Sequence, residues 1–414
     1  MLHSILIAIA ILALLGVIFE EKTHINKAKI TLFFGTLAWV LLFVFAPDGA
    51  ANRNIGEGLE QNITEIASLW LFLLAAMTFV AYLNKKGMIE NIIYLFLPKR
   101  ITERRLMFLT ALFCFVFSSL ADNITATLCS IALILSLQLP LEKTVKFAVM
   151  VVFAVNSGGV ALITGDVTTL MIFLAGKVAI ENLLLLSLPA FLAVIALAAL
   201  LSRGLDQDII IKPHVTDIRR VDLTIAAIFL LTILGTIAGN VLFAIPPVLS
   251  FLFGLSLMFL TARFFNEDIE SDPILDYIRM IEFETLMFFL GVLLVVGMLR
   301  EIQVLSSVAE LYTAMPHTLA NYIMGALSAL IDNVPLTAAL LKSDIAMDTG
   351  QWLVLTYAVG VGGSLLVIGS AAGIVAMSKI KGLSFGTYLR FGLQLLTAYS
   401  VGFGGAYVLG QLLS

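Results

Sequence analysis

The sequence is poor in charged residues, cysteine and histidine. Asp, Glu, Lys and Arg make up 13% of its 414 residues, and it has two cysteines and four histidines. Cys114 and Cys129 lie in apolar runs without zinc-binding or redox spacing, so we interpret both as small buried residues. No histidine lies next to a carboxylate motif, and no Gly-x-x-x-x-Gly-Lys-Ser/Thr phosphate loop occurs. We therefore expect no transition metal, no cofactor, no nucleic-acid partner and no enzymatic activity.

Apolar residues dominate the rest of the chain. They make up 60% of it, and the mean hydropathy is +1.06. This composition predicts an all-α polytopic membrane protein. Apolar segments close to the ~20 residues of a spanning helix lie near 2–19, 28–46, 66–83, 183–202, 223–243, 246–265, 284–299 and 388–411. Longer segments near 144–176 and 350–376 are interrupted by glycine and polar residues.

Two polar stretches, 118–128 and 328–338, lie between apolar arms and match each other at an offset of 210 positions. The offset pairs Ser118 with Ser328, Asp122-Asn123 with Asp332-Asn333, and Thr127 with Thr337. Because the arms are short for full spans, we predict two re-entrant helical hairpins whose tips lie near the midplane. A carboxylate at that depth costs at least ~2.5 kcal/mol on insertion scales, which indicates a functional role.

A second repeated pattern follows each hairpin, at 156–169 and 360–373. At an offset of 204 positions its glycines coincide: Gly158, Gly159 and Gly165 with Gly362, Gly363 and Gly369. Paired glycines favour unwinding, so 156–159 and 360–363 are predicted to interrupt their helices. Close helix packing through small residues is the alternative explanation. Polar side chains are concentrated in the first copy, which predicts an asymmetric site.

The distribution of basic residues predicts the orientation. With the N-terminus outside, cytoplasmic loops contain all 24 Lys and Arg residues except Arg53, Lys177, Arg300 and Lys342. This assignment places both termini in the periplasm. It gives two inverted repeats, 1–202 and 223–414, each of about five spans and one hairpin, joined by a charged cytoplasmic linker at 203–222. Amphipathic segments at 84–104 and 300–316 are predicted to be interfacial helices.

The polar residues of these stretches are hard oxygen ligands, which suit Na⁺, Li⁺ or H⁺. The candidate ligands are Asp122, Asn123, Asn156, Ser157, Asp166, Thr168, Thr169, Asp332 and Asn333. Supporting positions are Ser118, Thr125, Ser328, Thr337, Ser364, Ser370 and Glu65. Glu65, Glu282 and Glu284 begin spans. They are interpreted as interfacial acids at helix N-termini, with an access path for cations or protons as the alternative. No basic residue falls within the proposed core segments, so an anion would be repelled.

The Asp-Asn stretches, together with Asn156-Ser157-Gly158-Gly159 and Gly165-Asp166-Val167-Thr168-Thr169, resemble the NhaD-type sodium/proton antiporters of the ion transporter superfamily. The resemblance covers nearly the whole chain. It implies an inverted-repeat fold with broken helices, a homodimer, and exchange of cytoplasmic Na⁺ or Li⁺ for outside protons across a bacterial inner membrane. Superfamily relatives carry dicarboxylates, citrate or arsenite, so an anion or metalloid carrier is the alternative. Dicarboxylate carriers have Ser-Asn-Thr at the tips, whereas Asp-Asn here favours the cation exchanger.

Overall fold

The computed structural model describes residues 2–18, 25–46, 49–88, 91, 98, 100–210, 218–264, 278–279, 281, 283–305, 310, 312–330, 332–343 and 345–413. Several expectations fall wholly or partly outside these residues. They concern the interfacial segments 84–104 and 300–316, the end of the linker at 211–217, Glu282 and position 331 of the second hairpin tip.

Most described residues are helical. The helices are α1 (Leu2–Ile18), α2 (Lys27–Val44), α3 (Gly49–Lys85), α4 (Glu103–Leu120), α5 (Asn123–Ser136), α6 (Leu141–Gly159), α7 (Val167–Leu174), α8 (Ile180–Leu201), α9 (Arg220–Phe243), α10 (Pro247–Phe264), α11 (Phe283–Glu301), α12 (His317–Ser328), α13 (Asn333–Leu341), α14 (Thr349–Gly362), α15 (Ala371–Lys379), α16 (Phe385–Leu389) and α17 (Gly392–Leu413). Strands β1 (Arg100–Thr102) and β2 (Asp208–Ile210) form a small antiparallel pair.

The apolar helices give the molecule the surface of a membrane protein. Within the described residues, six helices are long and apolar enough to cross a bilayer: α2, most of α3, α8, α9, α10 and α11. Large apolar side chains point outward on such helices, including Phe243 at 75% and Phe264 at 87% exposure. A surface of this kind suits lipid hydrocarbon rather than water. The helical membrane fold is thus confirmed, while ten spans and their orientation stay a prediction.

Helix α3 is much longer than expected. The apolar pattern predicted a span at 66–83, but the helix begins at Gly49 and has 37 residues. At 1.5 Å per residue its length is about 55 Å, well beyond the ~30 Å of a hydrocarbon core. The missed N-terminal half is rich in polar residues, so hydropathy did not indicate it.

The chain leaves the helical conformation at both Asp-Asn pairs, as predicted. Helix α4 ends at Leu120, and α5 begins at Asn123. Helix α12 ends at Ser328, and α13 begins at Asn333. Asp122 and Asp332 are therefore the N-cap residues of the second arms, and a side-chain oxygen of each accepts a backbone N–H of its own helix.

The predicted helix interruption at 156–159 is wrong in position. Helix α6 continues to Gly159, and the non-helical segment is 160–166. In the second copy α14 ends at Gly362, and a 3₁₀ turn leads into non-helical backbone before α15. A Cβ at Gly158 would overlap the carbonyl oxygen of Phe115, and one at Gly362 would overlap that of Gly325. These two glycines thus permit close packing of each broken helix on a hairpin arm, which was the alternative explanation.

Cross-packing of the two hairpins positions the site. The second arm of the first hairpin, α5, packs against α15, which follows the second break. The second arm of the second hairpin, α13, packs against α7, which follows the first break, and against α11. The N-termini of these four short helices are thereby brought to one region inside the molecule.

Candidate functional site

A cavity of about 80 Å³ lies where α5, α7, α13 and α15 begin. The residue that precedes each helix lines it: Asp122, Asp166, Asp332 and Ser370. A helix N-terminus carries about half a positive charge and by itself attracts anions. Here three of the four N-termini carry a carboxylate, so the local charge is largely offset by the protein's own acids. Apolar side chains of α3 and α11, among them Met77 and Phe289, close the other wall.

Asp166 is hydrogen-bonded to side chains of two helices that meet at the cavity, α7 and α13. Its Oδ2 accepts a hydrogen bond of 2.7 Å from Thr168 Oγ1 and one of 3.2 Å from Asn333 Nδ2. The side chain makes no capping hydrogen bond to its own helix, and the residue is buried. Side-chain donors can rotate, so this carboxylate can rearrange to hold a cation.

The first hairpin tip presents Asp122 and Asn123. Both Asp122 oxygens are held by Thr125, at 2.9 Å from its backbone nitrogen and 2.7 Å from its Oγ1. With its amide nitrogen towards the bend, Asn123 donates to Gly165 O at 3.1 Å and to Ser118 Oγ at 2.7 Å. In this orientation the amide oxygen is left available as a ligand.

Asn156 and Ser157 have buried oxygens without hydrogen-bond partners, but neither residue lines the cavity. Asn156 Nδ2 donates to Val152 O at 2.7 Å and to Ser370 Oγ at 3.1 Å, which connects it to a residue of the cavity wall. The Asn156 Oδ1 and Ser157 Oγ atoms are buried and make no hydrogen bond. A buried polar atom without a partner costs roughly 1–3 kcal/mol. Coordination of a cation by either oxygen would remove that cost.

The cavity also contains a basic side chain that sequence analysis placed only in a cytoplasmic loop. Lys27 Nζ lies 3.6 Å from Asp332 Oδ2 and 4.5 Å from the centroid of the Phe288 ring. No basic residue falls within the repeated core segments themselves, but Lys27 reaches the cavity from α2, so the argument that an anion would be repelled is weaker than expected. Lys27 is the first residue of α2, outside both repeated patterns, and its only sequence signal was its place at the edge of an apolar segment.

Several of the supporting residues donate hydrogen bonds to backbone carbonyls and do not line the cavity. Ser118 Oγ donates to Val155 O at 2.8 Å, and Ser328 Oγ donates to Val359 O at 2.7 Å, so each hairpin is fixed to the broken helix beside it in the same way. Three further hydroxyls donate to backbone carbonyls: Thr169 to Gly159, Thr337 to Asn333, and Ser364 to Val361.

Glu65 is not among the residues that line the cavity. Its Oε2 forms an ion pair of 3.2 Å with Lys342 Nζ, at the end of α13. The Lys342 ammonium also donates to Asn62 Oδ1. Glu65 therefore ties α3 to the second hairpin and does not contact the other predicted ligands.

The carboxylates are spread around the cavity wall. Within the part of the chain that the structure describes, no group of three or more His, Cys, Asp and Glu side chains could hold one metal ion. A cation here would be bound by one or two carboxylates, with amide, hydroxyl and carbonyl oxygens completing its shell. Such oxygen sets suit hard cations.

The chain is similar to known transporters over most of its length. A sequence model for the family described as "Citrate transporter" matches residues 2–362. The Na(+)/H(+) antiporter NhaD of Alkalimonas amylolytica is 30% identical over 95% of this chain and 88% of its own length. That of Vibrio cholerae is 30% identical over 93% and 87%. Sodium/proton antiporter 1 of Arabidopsis thaliana is 28% identical over 91% and 67%.

A solved structure shares the fold. The crystal structure of the YdaH transporter of Alcanivorax borkumensis has a TM-score of 0.53 and 16% sequence identity to this chain. The match covers 94% of this chain and 98% of that one. Together with the family match and the two relatives at 30% identity, the likeness extends over nearly the entire sequence. The chain therefore belongs to the citrate transporter family and, within it, to the NhaD-type sodium/proton antiporters.

Proposed function

We propose that the protein exports cytoplasmic Na⁺ or Li⁺ in exchange for protons by alternating access, and that the cavity between the two hairpins is the exchange site. The observation that carries this proposal is the cavity's oxygen set. Asp122, Asp166 and Asp332 line one small space, and Asn156, which has a buried oxygen without a partner, donates to Ser370 of the same lining. The relatives named as sodium/proton antiporters support the same function.

The chemistry follows from the dual use of a carboxylate. An ionised carboxylate can bind Na⁺, whereas a protonated one has no charge for it, so either Na⁺ or H⁺ occupies a given oxygen pair. Asp166 is best placed for this role, because its donors are the movable side chains of Thr168 and Asn333. Asp122 and Asp332 are each held by a backbone N–H and complete the site from the two tips.

The proposed movement follows from the packing. The hairpins, α6, α7, α14 and α15 form a core around the cavity, and α2, α3 and α11 close it from outside that core. We infer that this core moves against the remaining spans to open the cavity to either side. The two repeats, 1–202 and 223–414, are proposed to be inverted, and the matched Ser118 and Ser328 hydrogen bonds support their equivalence.

Contacts between charged residues support the proposed grouping of segments on the same side of the membrane. Lys143 and Glu103 pair at 2.6 Å, and both belong to segments assigned to the cytoplasm. Glu65 and Lys342 pair at 3.2 Å, and both are assigned to the opposite side. We further propose a homodimer in a bacterial inner membrane with both termini in the periplasm. Cysteines introduced at 206–210 should react with impermeant reagents from the cytoplasmic side, and labelling from outside would overturn this topology.

An anion carrier is the second candidate. Lys27 and the four helix N-termini are the features that favour it, since both attract negative charge. Three carboxylates at the same cavity oppose it, because an anionic substrate would meet more negative than positive side chains. The cation exchanger therefore fits better.

One transport assay separates the two candidates. Purified protein is reconstituted into liposomes that contain a pH-sensitive dye, and an imposed pH gradient is challenged with NaCl, LiCl, choline chloride or citrate. The proposal requires proton movement with Na⁺ or Li⁺ and none with choline. A response to citrate that is independent of Na⁺ would favour the anion carrier instead.

A further inference from the structure

Lys27 places an ammonium inside the cavity that the proposed function assigns to Na⁺. Its Nζ is 3.6 Å from Asp332 Oδ2 and 4.5 Å from the Phe288 ring centroid. The Lys27 side chain is 20% exposed and that of Asp332 is 11% exposed, so the pair is largely shielded from solvent. A positive charge of the protein therefore already occupies part of the space in which a cation would bind.

The charges at the cavity nearly balance while Lys27 is in place. Three carboxylates contribute three negative charges, and Lys27 contributes one positive charge. The four helix N-termini add about half a positive charge each. A Na⁺ ion that entered this arrangement would add an uncompensated charge and would be repelled by the ammonium. Binding is therefore favoured when the ammonium withdraws.

The contact between Lys27 and Asp332 is of a kind that releases readily. A direct charge-assisted hydrogen bond measures about 2.7–2.9 Å, and the 3.6 Å separation from Asp332 is longer. The ring of Phe288 supports the ammonium from one side by a cation–π contact. Neither interaction fixes the flexible lysine side chain in one geometry.

A second carboxylate lies near the start of α2. Glu284 Oε2 accepts a hydrogen bond of 2.6 Å from Asn26 Nδ2, and Asn26 is the residue that precedes Lys27. Glu284 is thus bound to the residue that precedes Lys27 in the chain.

We propose that Lys27 is an internal competitor for Na⁺, which neutralises Asp332 while the cavity holds no cation and moves away from Asp332 when Na⁺ binds. This inference rests on the proposed function and adds a determinant of its Na⁺ affinity. Lys27 is a positioning residue in this scheme, since it acts through Asp332 and does not itself contact the transported ion.

The test compares three variants in the proteoliposome assay. Lys27→Gln removes the ammonium, Lys27→Arg keeps a positive charge, and Lys29→Gln removes a charge from an exposed residue of the same helical turn. We expect the apparent KM for Na⁺ to fall by about tenfold in Lys27→Gln, because the repulsion is gone. The other two variants should stay near the native value. An unchanged or higher KM in Lys27→Gln would overturn the proposal.

A measurement on the native protein covers the case in which Lys27→Gln does not fold. An amine-reactive ester is applied with NaCl or with choline chloride, and modification of each lysine is quantified by mass spectrometry. Na⁺ should increase modification of Lys27 and leave Lys29 unchanged. Equal modification of Lys27 in both salts would contradict the displacement. If the native protein shows no Na⁺-dependent proton movement, the proposed function fails, whereas exchange that is unaffected by Lys27→Gln defeats this inference alone.

Discussion

Asn333 Nδ2 lies 3.2 Å from Asp166 Oδ2, and this hydrogen bond joins the second hairpin to the bend after the first broken helix. The two residues are 167 positions apart in sequence. Since α13 packs on α7, the contact is maintained by the packing of two whole helices and not by the side chains alone. A change at the Asp166 carboxylate therefore alters a direct contact with the tip of the second hairpin.

Neutralising Asp166 should abolish or strongly weaken exchange. Asp166→Asn keeps the size of the side chain but removes the charge that holds either Na⁺ or a proton. We expect a folded protein with little Na⁺-dependent proton release in the dye assay. Asp206→Asn is the matched control, because Asp206 is an exposed carboxylate in a loop, 3.5 Å from Arg104. Normal exchange by Asp166→Asn with native Na⁺ affinity would assign Asp166 a structural role.

Removing the Asn333 amide should weaken Na⁺ binding without eliminating it. Asn333→Ala deletes the hydrogen bond that orients Asp166, and a hydrogen bond to a charged group contributes roughly 1.5–3 kcal/mol. The apparent KM for Na⁺ should therefore rise by about tenfold or more. Asn240→Ala serves as the control, since its amide donates at 3.2 Å to Ile245 O in a loop away from the cavity. Equal KM values in the two variants would show that Asn333 does not orient the carboxylate.

The unpartnered oxygen of Ser157 predicts an unusual stability pattern. Ser157→Ala removes a buried hydroxyl that makes no hydrogen bond, so the Tm in Na⁺-free buffer should stay equal or rise. If the hydroxyl is a ligand, the increase in Tm that Na⁺ produces in the native protein should shrink. Ser130→Ala should instead lower stability, because Ser130 Oγ donates to Ala126 O at 2.7 Å. Its Tm should fall in both buffers, and its response to Na⁺ should remain. A native response to Na⁺ in Ser157→Ala would remove Ser157 from the ligand set.

Substitution of Glu65 should show whether this residue stabilises the fold or lies on an access path for ions. Glu65→Gln leaves the Lys342 ammonium, 8% exposed, without a charged partner, so stability should fall by roughly 1–3 kcal/mol. Lys342→Met should be tolerated better, because no buried charge remains. Glu60→Gln, an exposed change on the same helix, is the control for both. Reduced transport by Glu65→Gln at native stability would instead indicate an access path.

Sequence reasoning predicted the parts of this molecule that recur. Both Asp-Asn pairs are found at helix breaks, and the helical membrane fold is observed. The breaks were predictable because few structures other than a helix break place a polar motif twice at matching positions in an apolar sequence. The length of α3 was missed, since its polar first half resembles a loop by hydropathy. The position of the break after Gly159 was missed because a glycine pair that permits unwinding equally permits close packing.

The site was only partly accessible to sequence reasoning. Asp122, Asn123, Asp166, Asp332 and Asn333 do line one cavity, as their places in the repeats suggested. Lys27 could not be found in this way, because it has no counterpart in either repeat and reaches the cavity only through the packing of α2 on α11. A single lysine at the edge of a span is a common orientation signal, and nothing local distinguishes this one.

The Na⁺ affinity of the protein should depend on pH. A carboxylate that holds a proton has no charge for Na⁺, so the two ions should compete and the apparent Na⁺ affinity should weaken as pH falls. Where one proton competes with one cation, the apparent Kd should rise by about tenfold for each pH unit of acidification. The measurement is Na⁺ affinity against pH for the native protein, Asp122→Asn and Asp332→Asn, with Asp206→Asn as the control.

Neutralising either tip carboxylate should flatten this pH dependence as well as reduce transport, because one site of competition is lost. Asp332→Asn differs from Asp122→Asn in one further respect, since it also removes the ion-pair partner of Lys27. If Asp122→Asn alone flattens the profile, the proton that competes with Na⁺ belongs to the first hairpin. An affinity that does not change over several pH units in the native protein would mean that Na⁺ and H⁺ use separate sites, and shared carboxylates would then be the wrong mechanism.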